Sequence, residues 1–545
     1  MWGSDLALTR SWGSDLALTP GPSPRGRGEQ LALTPGPPEG EGRLRLLAMA
    51  GFALDTFEPR AEAFLKARAW REWQYQTGQR PGRSLVTLYE EDFRDFTSTD
   101  LFQDVYGADS EEPRRQRALS GLLAAASLEG RTRDLAARAA GIPVRTSVRF
   151  EDEDIVWREA PARWPLIGDV PRRHELAEAW RAVQSTELNP VLGTWFEALR
   201  GQLALLGGGD DWLAFWSAQR GLQLVDENRT ASWLLEASGD VYGHALGVYL
   251  AQVGLPIDDA WTVDVDWAFR AARFDGVFGE PQRMPVLIRT FGNLGIDLEA
   301  QSELHFEAGP APGVRFCPVD VPGDVHVALR LGGGYQDYLR SLRGLGMAQH
   351  ALHTDARLPL WQRWLGDDTP MLANGLLLEG LGRDRGWLLS QLDYEASSDY
   401  RVIAHLAWLY RVRRLAATAL YEQQLWQSEP GGSLAGDYEV RLSEALRVRC
   451  FPEDYLRLLQ DAPRSTLRSV VDLRAEVFAA QLRAYLEREF DEEWWRSSRA
   501  AKFLVDEFWR PGRRHTAEEL LGFMGFEGLD PAVLWGQIAE VLSPL

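Results

Sequence analysis

Beyond residue 50, apolar and charged positions recur with a period near 3.6, the spacing that turns one stripe of a helix towards a core. The pattern predicts helices over residues 57–75, 114–140, 174–206, 212–223, 397–428, 437–445, 470–490 and 517–523. Strand signals are sparse. Residues 144–150 and 155–159 flank an acidic turn, and residues 314–320 and 325–331 flank Pro322-Gly323, so each pair predicts a short hairpin. Glycine breaks fall at 207–209, 332–334 and 431–432. The expected fold class is mainly α with two small β-hairpins.

The first 48 residues do not follow this pattern. The stretch Trp2–Thr9 recurs as Trp12–Thr19, and Leu-Ala-Leu-Thr-Pro-Gly-Pro occurs at Leu16 and again at Leu31. A repeated Pro/Gly-rich tract buries too little apolar surface to fold. It is expected to be disordered or non-native, with initiation near Met49. The remainder is expected to divide into a helical N-terminal lobe over 49–300, with its hairpin at 144–159, and a second helical lobe over 301–545.

Composition narrows the function classes. A 545-residue chain with 45% hydrophobic and 25% charged residues has the make-up of a soluble globular protein large enough for more than one core. The apolar run from Leu119 to Leu128 is too short to span a bilayer and lies between charges, so no membrane association is expected. The two cysteines, Cys317 and Cys450, exclude a disulfide framework and a cysteine-rich zinc site and suit a cytoplasmic protein. A net charge of −20 argues against nucleic acid as a partner. The 22 tryptophans, including the Trp212/Trp216 pair at helical spacing, are expected to fill cores.

The chemically informative stretch is Tyr335–His353, which follows the glycines at 332–334. A zinc-peptidase helix carries H-E-x-x-H because two histidines four residues apart share a face and grip one metal, while the glutamate activates its water. Here the corresponding positions are Arg343, Gly344 and Met347. This frame, with segments 146–161, 284–298, 315–329 and 481–490 with 494–496 in the same order, resembles the thimet oligopeptidase and oligoendopeptidase F family, in particular its shorter bacterial members. The resemblance runs from about residue 52 to the C-terminus. It implies a two-lobed helical metallopeptidase fold around a central channel, and it places the third zinc ligand at Leu372. The family's late tyrosine has no counterpart between Arg464 and Leu473.

A guanidinium cannot ligate, glycine and leucine offer no donor, and a thioether is a poor zinc ligand. The expectation is therefore a catalytically inactive homologue with no cofactor, binding short peptides or a protein partner through the inherited cleft. Arg343, Tyr335 and Tyr338 are the candidate peptide contacts. Arg343 could instead be satisfied internally by Asp337 or Glu379. Gly344 and Gly346 each cost a helix about 1 kcal/mol relative to alanine. The apolar series Tyr338, Leu342, Leu345 and Leu352 is expected to hold the helix together through packing.

Two other functions stay open: an active zinc oligopeptidase with relocated ligands His350, His353 and Glu379, and a non-catalytic subunit of an active homologous peptidase. Two further stretches only begin like metal motifs. In His174-Glu175, Glu178 replaces the second histidine, and in Asp240…His244, Val241 stands where a base is needed. A solvated helix start and ordinary helix packing are the expected readings.

Overall fold

Helix-forming residues and well-placed caps dominate the computed structural model, which describes residues 53–77, 87–308, 313–330, 334–428 and 433–544. The repeated tract 1–48 and the glycines at 332, 333, 431 and 432 lie outside the described residues. Residues Phe52–Leu545 pack as one compact unit. Six helices and five strands position the site. These are α1 (Leu54–Gln76), α2 (Pro113–Arg131), β1 (Ser147–Phe150), β2 (Glu153–Val156), β3 (Leu304–Ala308), β4 (Gly313–Asp320), β5 (Asp324–Arg330), α3 (Tyr335–His353), α4 (Thr369–Gly380), α5 (Ser398–Gln427) and α6 (Arg468–Phe490). The fold is mainly α, as the periodicity predicts.

Local chemistry explains most of the boundaries. The Ser397 hydroxyl caps α5 by accepting the Tyr400 N–H, and Pro370 sits in the first turn of α4, where its missing N–H costs nothing. Thr516 and Glu519 form a capping box at a helix over Ala517–Phe523, the range the pattern predicts. The predicted 212–223 helix stops at Arg220 because Gly221 turns left-handed, with φ +67°.

Two predicted single helices are broken. The 174–206 run divides into Val170–Val183 and Asn189–Leu206 around a widened turn, Gln184–Leu188. Pro190, which has no N–H for the ladder, follows that turn. The 114–140 run breaks at Thr132, whose hydroxyl donates to the Leu128 carbonyl and accepts the Trp195 indole N–H. Helices at Leu224–Ala237, Gly239–Gln252 and Pro531–Leu542 also form.

Both predicted hairpins are present. β1 pairs antiparallel with β2, and β4 with β5 across the Pro322-Gly323 turn. The second gains a third strand, because β3 runs parallel to β5 at the sheet edge, giving the order β3-β5-β4. α1 covers one face of this sheet and α3 the other; beyond α3 come α4, α6 and α5 in turn. Because strand side chains alternate between faces, β5 sends Val327 towards α3 and His326 towards α1. Both are buried, at 0% and 5% exposure.

Candidate functional site

α3 lies between the sheet and α4, and its two glycines set how closely both approach. A Cβ on Gly344 would stand 2.3 Å from Val314 Cγ1, and one on Gly346 would stand 2.9 Å from the Asn374 carbonyl oxygen and 3.0 Å from Gly375 Cα. Asn374 Nδ2 donates to the Gly346 carbonyl at 2.6 Å, locking the two helices. From the α4 side, a Cβ on Gly375 would fall 2.8 Å from Met347 Cγ and 2.9 Å from the Arg343 carbonyl oxygen. The helix thus survives two interior glycines because they let it be gripped from both sides. A side chain at position 344 would have to push the Val314 methyl aside.

Below this contact lies a buried charge network. Glu379 of α4 pairs with Arg411 of α5, with Arg383 at 3.4 Å and with Arg343 at 3.9 Å. Arg411 also reaches Glu476 of α6 at 2.7 Å, and Glu476 accepts the Trp408 indole N–H at 2.8 Å. Arg383 lies over the Trp408 ring, 4.3 Å from its centroid. Burial alone would raise the Glu379 carboxyl, but Arg411, Arg343 and Arg383 outweigh it and hold it down at about 2. Three guanidiniums meet two carboxylates here. Arg411 Nη2 and Arg383 Nε, both buried, have no hydrogen-bond partner among the described residues. The Arg343 side chain is 29% exposed, as is that of Arg411, and among the described residues its ion pair is the long contact to Glu379.

The structure sorts the sequence candidates. Arg343 pairs with Glu379, while Asp337 is paired with Arg340. Tyr335 and Tyr338 must be withdrawn as peptide contacts. Both are 1% exposed, and their hydroxyls donate to the Phe269 and Gly279 carbonyls. Their rings pack against Phe278. Leu372 is a buried α4 residue.

His350, His353 and Glu379 do not converge as a relocated metal site. The His350 ring meets Phe508 edge-on, and burial pushes it down to about 3. His353 Nδ1 bonds to the Gln349 carbonyl and its ring packs on Trp509. Glu379 is taken up by arginines. His174 stacks on Trp261 and bonds to Asp264, which also holds Arg173, so its role is structural. Asp240 and His244 are exposed on one helix. A recess bordered by Trp164, Asp266, Arg414 and Tyr438 holds only about 50 Å³, room for water but not for a peptide.

A metallopeptidase site needs donors that these positions do not supply. Arg343, Gly344, Met347 and Leu372 offer no N, O or S ligand suited to zinc, and a side chain at Gly344 would meet the Val314 methyl. Among the described residues, one group of three potential ligands lies within mutual reach, and it is elsewhere: His305, Asp324 and His326, on the α1 face of the sheet. The sequence reading missed it. Its legible trace is Asp324-Val-His326, where the i, i+2 spacing puts both side chains on one face of a strand. His305 joins them through the parallel β3–β5 register, which pairs it with His326.

No protein-family model matches this sequence, and no curated protein matches it. The structure is similar to a solved structure of Pyrococcus furiosus carboxypeptidase, described as its apo-Mg form. The TM-score is 0.55 at 14% sequence identity, covering 88% of this chain and 96% of that one. The fold is similar to that of this carboxypeptidase. The likeness extends to architecture, because at that identity the chemistry of individual positions is not carried over. No helix among the described residues is long and apolar enough to cross a membrane.

Proposed function

We propose that this chain is a catalytically inactive metallopeptidase homologue, a degenerate relative of the oligoendopeptidase F type, that binds peptides or a protein partner through the region around α3 and α4. The observation that carries this reading is Gly344. Where a zinc peptidase needs a general base, the chain has a glycine, and a Cβ there would stand 2.3 Å from Val314 Cγ1, so a side chain would have to displace that methyl group. Arg343 supports the binding half of the reading. It is partly exposed and loosely paired, in a cluster with one more guanidinium than carboxylate. A fixed guanidinium recognises a peptide carboxylate through paired N–H donors.

The test uses the full chain with short fluorescent peptides bearing free C-termini. Saturable binding without cleavage is expected, with affinity falling at least tenfold in Arg343→Ala. Zinc-dependent hydrolysis by the wild-type protein, or an affinity indifferent to Arg343→Ala, overturns the reading.

A further inference from the structure

We infer that His305, Asp324 and His326 form a site for one zinc-class divalent cation, clipping the edge strand β3 to β5 on the face of the sheet turned to α1. The inference is independent of the proposed peptide binding.

The donors are already gathered. His326 Nε2 stands 2.8 Å and His305 Nε2 3.2 Å from the same Asp324 oxygen, and all three ligand atoms lie within 4.8 Å of one another. Around a tetrahedral zinc with bonds of about 2.0–2.1 Å, neighbouring donors stand roughly 3.3 Å apart. Small adjustments of the half-exposed His305 and Asp324 side chains would bring all three onto one ion.

The second observation is the state of His326. It is 5% exposed, and its Nδ1 faces Glu307 Oε1 at 3.2 Å, an oxygen that also accepts the Trp73 indole N–H at 3.2 Å. A carboxylate at Nδ1 holds the ring proton there and leaves a lone pair on Nε2, the second-shell arrangement that orients ligating histidines. That buried Nε2 has no hydrogen-bond partner, although an Asp324 oxygen lies only 2.8 Å away. A lone pair and a carboxylate oxygen repel at that separation unless a proton or a metal ion is shared between them.

Two imidazoles and one carboxylate suit Zn²⁺, Ni²⁺ or Co²⁺ better than Ca²⁺ or Mg²⁺, which take oxygen ligands. His305 and Asp324, 44% and 36% exposed at their side chains, leave a fourth position facing water. Cys317, opposite His326 on β4, is not a ligand, because its sulfur turns to the Ala69 carbonyl. Tying β3 to β5 through side chains stabilises a strand that otherwise rests on one parallel ladder. A metal bound only by the folded chain raises the melting temperature by mass action.

The experiment is calorimetric titration of the chelator-stripped full chain with zinc chloride, with melting curves recorded alongside. One equivalent is expected to bind and raise Tm. His305→Ala and Asp324→Asn, both at partly exposed positions that tolerate change, should each weaken binding at least tenfold and remove the Tm rise. Glu307 acts as a positioning residue, and Glu307→Gln should weaken affinity roughly 10–100-fold with the stoichiometry unchanged. His244→Ala, altering an exposed histidine on another helix, should leave binding as in wild type. Absence of saturable binding at micromolar zinc, or binding unaffected by His305→Ala, overturns the inference.

Discussion

The two faces of the β3-β5-β4 sheet make opposite use of similar neighbours. On the α3 face, Val314 lies close over Gly344, and the helix offers apolar and backbone contact to the sheet. On the α1 face, His305 and His326 stack with ring centroids 4.6 Å apart beside Asp324, and the donors are present. The difference teaches that the fold and the placement of metal-type donors are set by separate features of the chain. The fold needs apolar surfaces of the right shape, whereas a metal needs a few donors at one point. Each can be kept or lost without the other.

The comparison breaks most sharply if chemistry can be restored to the α3 face. Replacing Arg343→His, Gly344→Glu and Met347→His together recreates the peptidase motif on paper. The expected outcome is loss of cooperative unfolding in a circular-dichroism melt and no zinc-dependent peptide hydrolysis. Overpacking alone costs about 1–3 kcal/mol, and a carboxylate forced against Val314 and Val327 adds a desolvation penalty. A stable, hydrolytic triple variant would erase the distinction between the two faces.

Next in size is Glu379→Ala, which strands Arg383 and Arg411 among buried groups. Urea unfolding should show a loss of about 3–5 kcal/mol. The pH dependence has a definite sign. Because the folded carboxyl is held near 2, below its unfolded value, its contribution is fully present above about pH 4.5 and fades as pH falls towards 2. The variant should therefore lose less stability than wild type over that window. An unchanged midpoint at neutral pH would mean that the network is not a structural brace.

A smaller effect is expected at His405, buried in α5, where burial and the neighbouring Arg383 push the imidazole down to about 3. The unfolded state then binds the extra proton first, so stability falls as pH drops from about 6.5 towards 3. His405→Gln should flatten that acid limb in melts recorded across the range, and a limb as steep as wild type would refute the assignment. The smallest change in stability belongs to Arg343→Ala. A partly exposed side chain with a 3.9 Å contact should cost no more than about 1 kcal/mol in urea unfolding. A larger loss would make Arg343 part of the brace rather than its accessible edge.

Much of the architecture was legible before any coordinates. Periodicity located the long helices, and the Pro322-Gly323 turn placed the β4–β5 hairpin. The candidate site was legible only as an absence. Arg343, Gly344 and Met347 could be seen not to bind zinc, but nothing in the string indicated that Gly344 serves a close contact with Val314. Tyr335 and Tyr338 looked available because a helical pattern reports which residues share a face, not what covers that face. They proved to be core residues bonded to the Phe269 and Gly279 carbonyls.

By itself, then, the sequence determined the helical class and the two hairpins, because those follow from residue type and short-range spacing. Only the tertiary structure decided that Glu379 collects three arginines from three segments. It alone decided that His305 meets a histidine 21 positions later, across a parallel strand pair. Contacts between residues distant in the chain depend on register and layer order, which local periodicity does not encode.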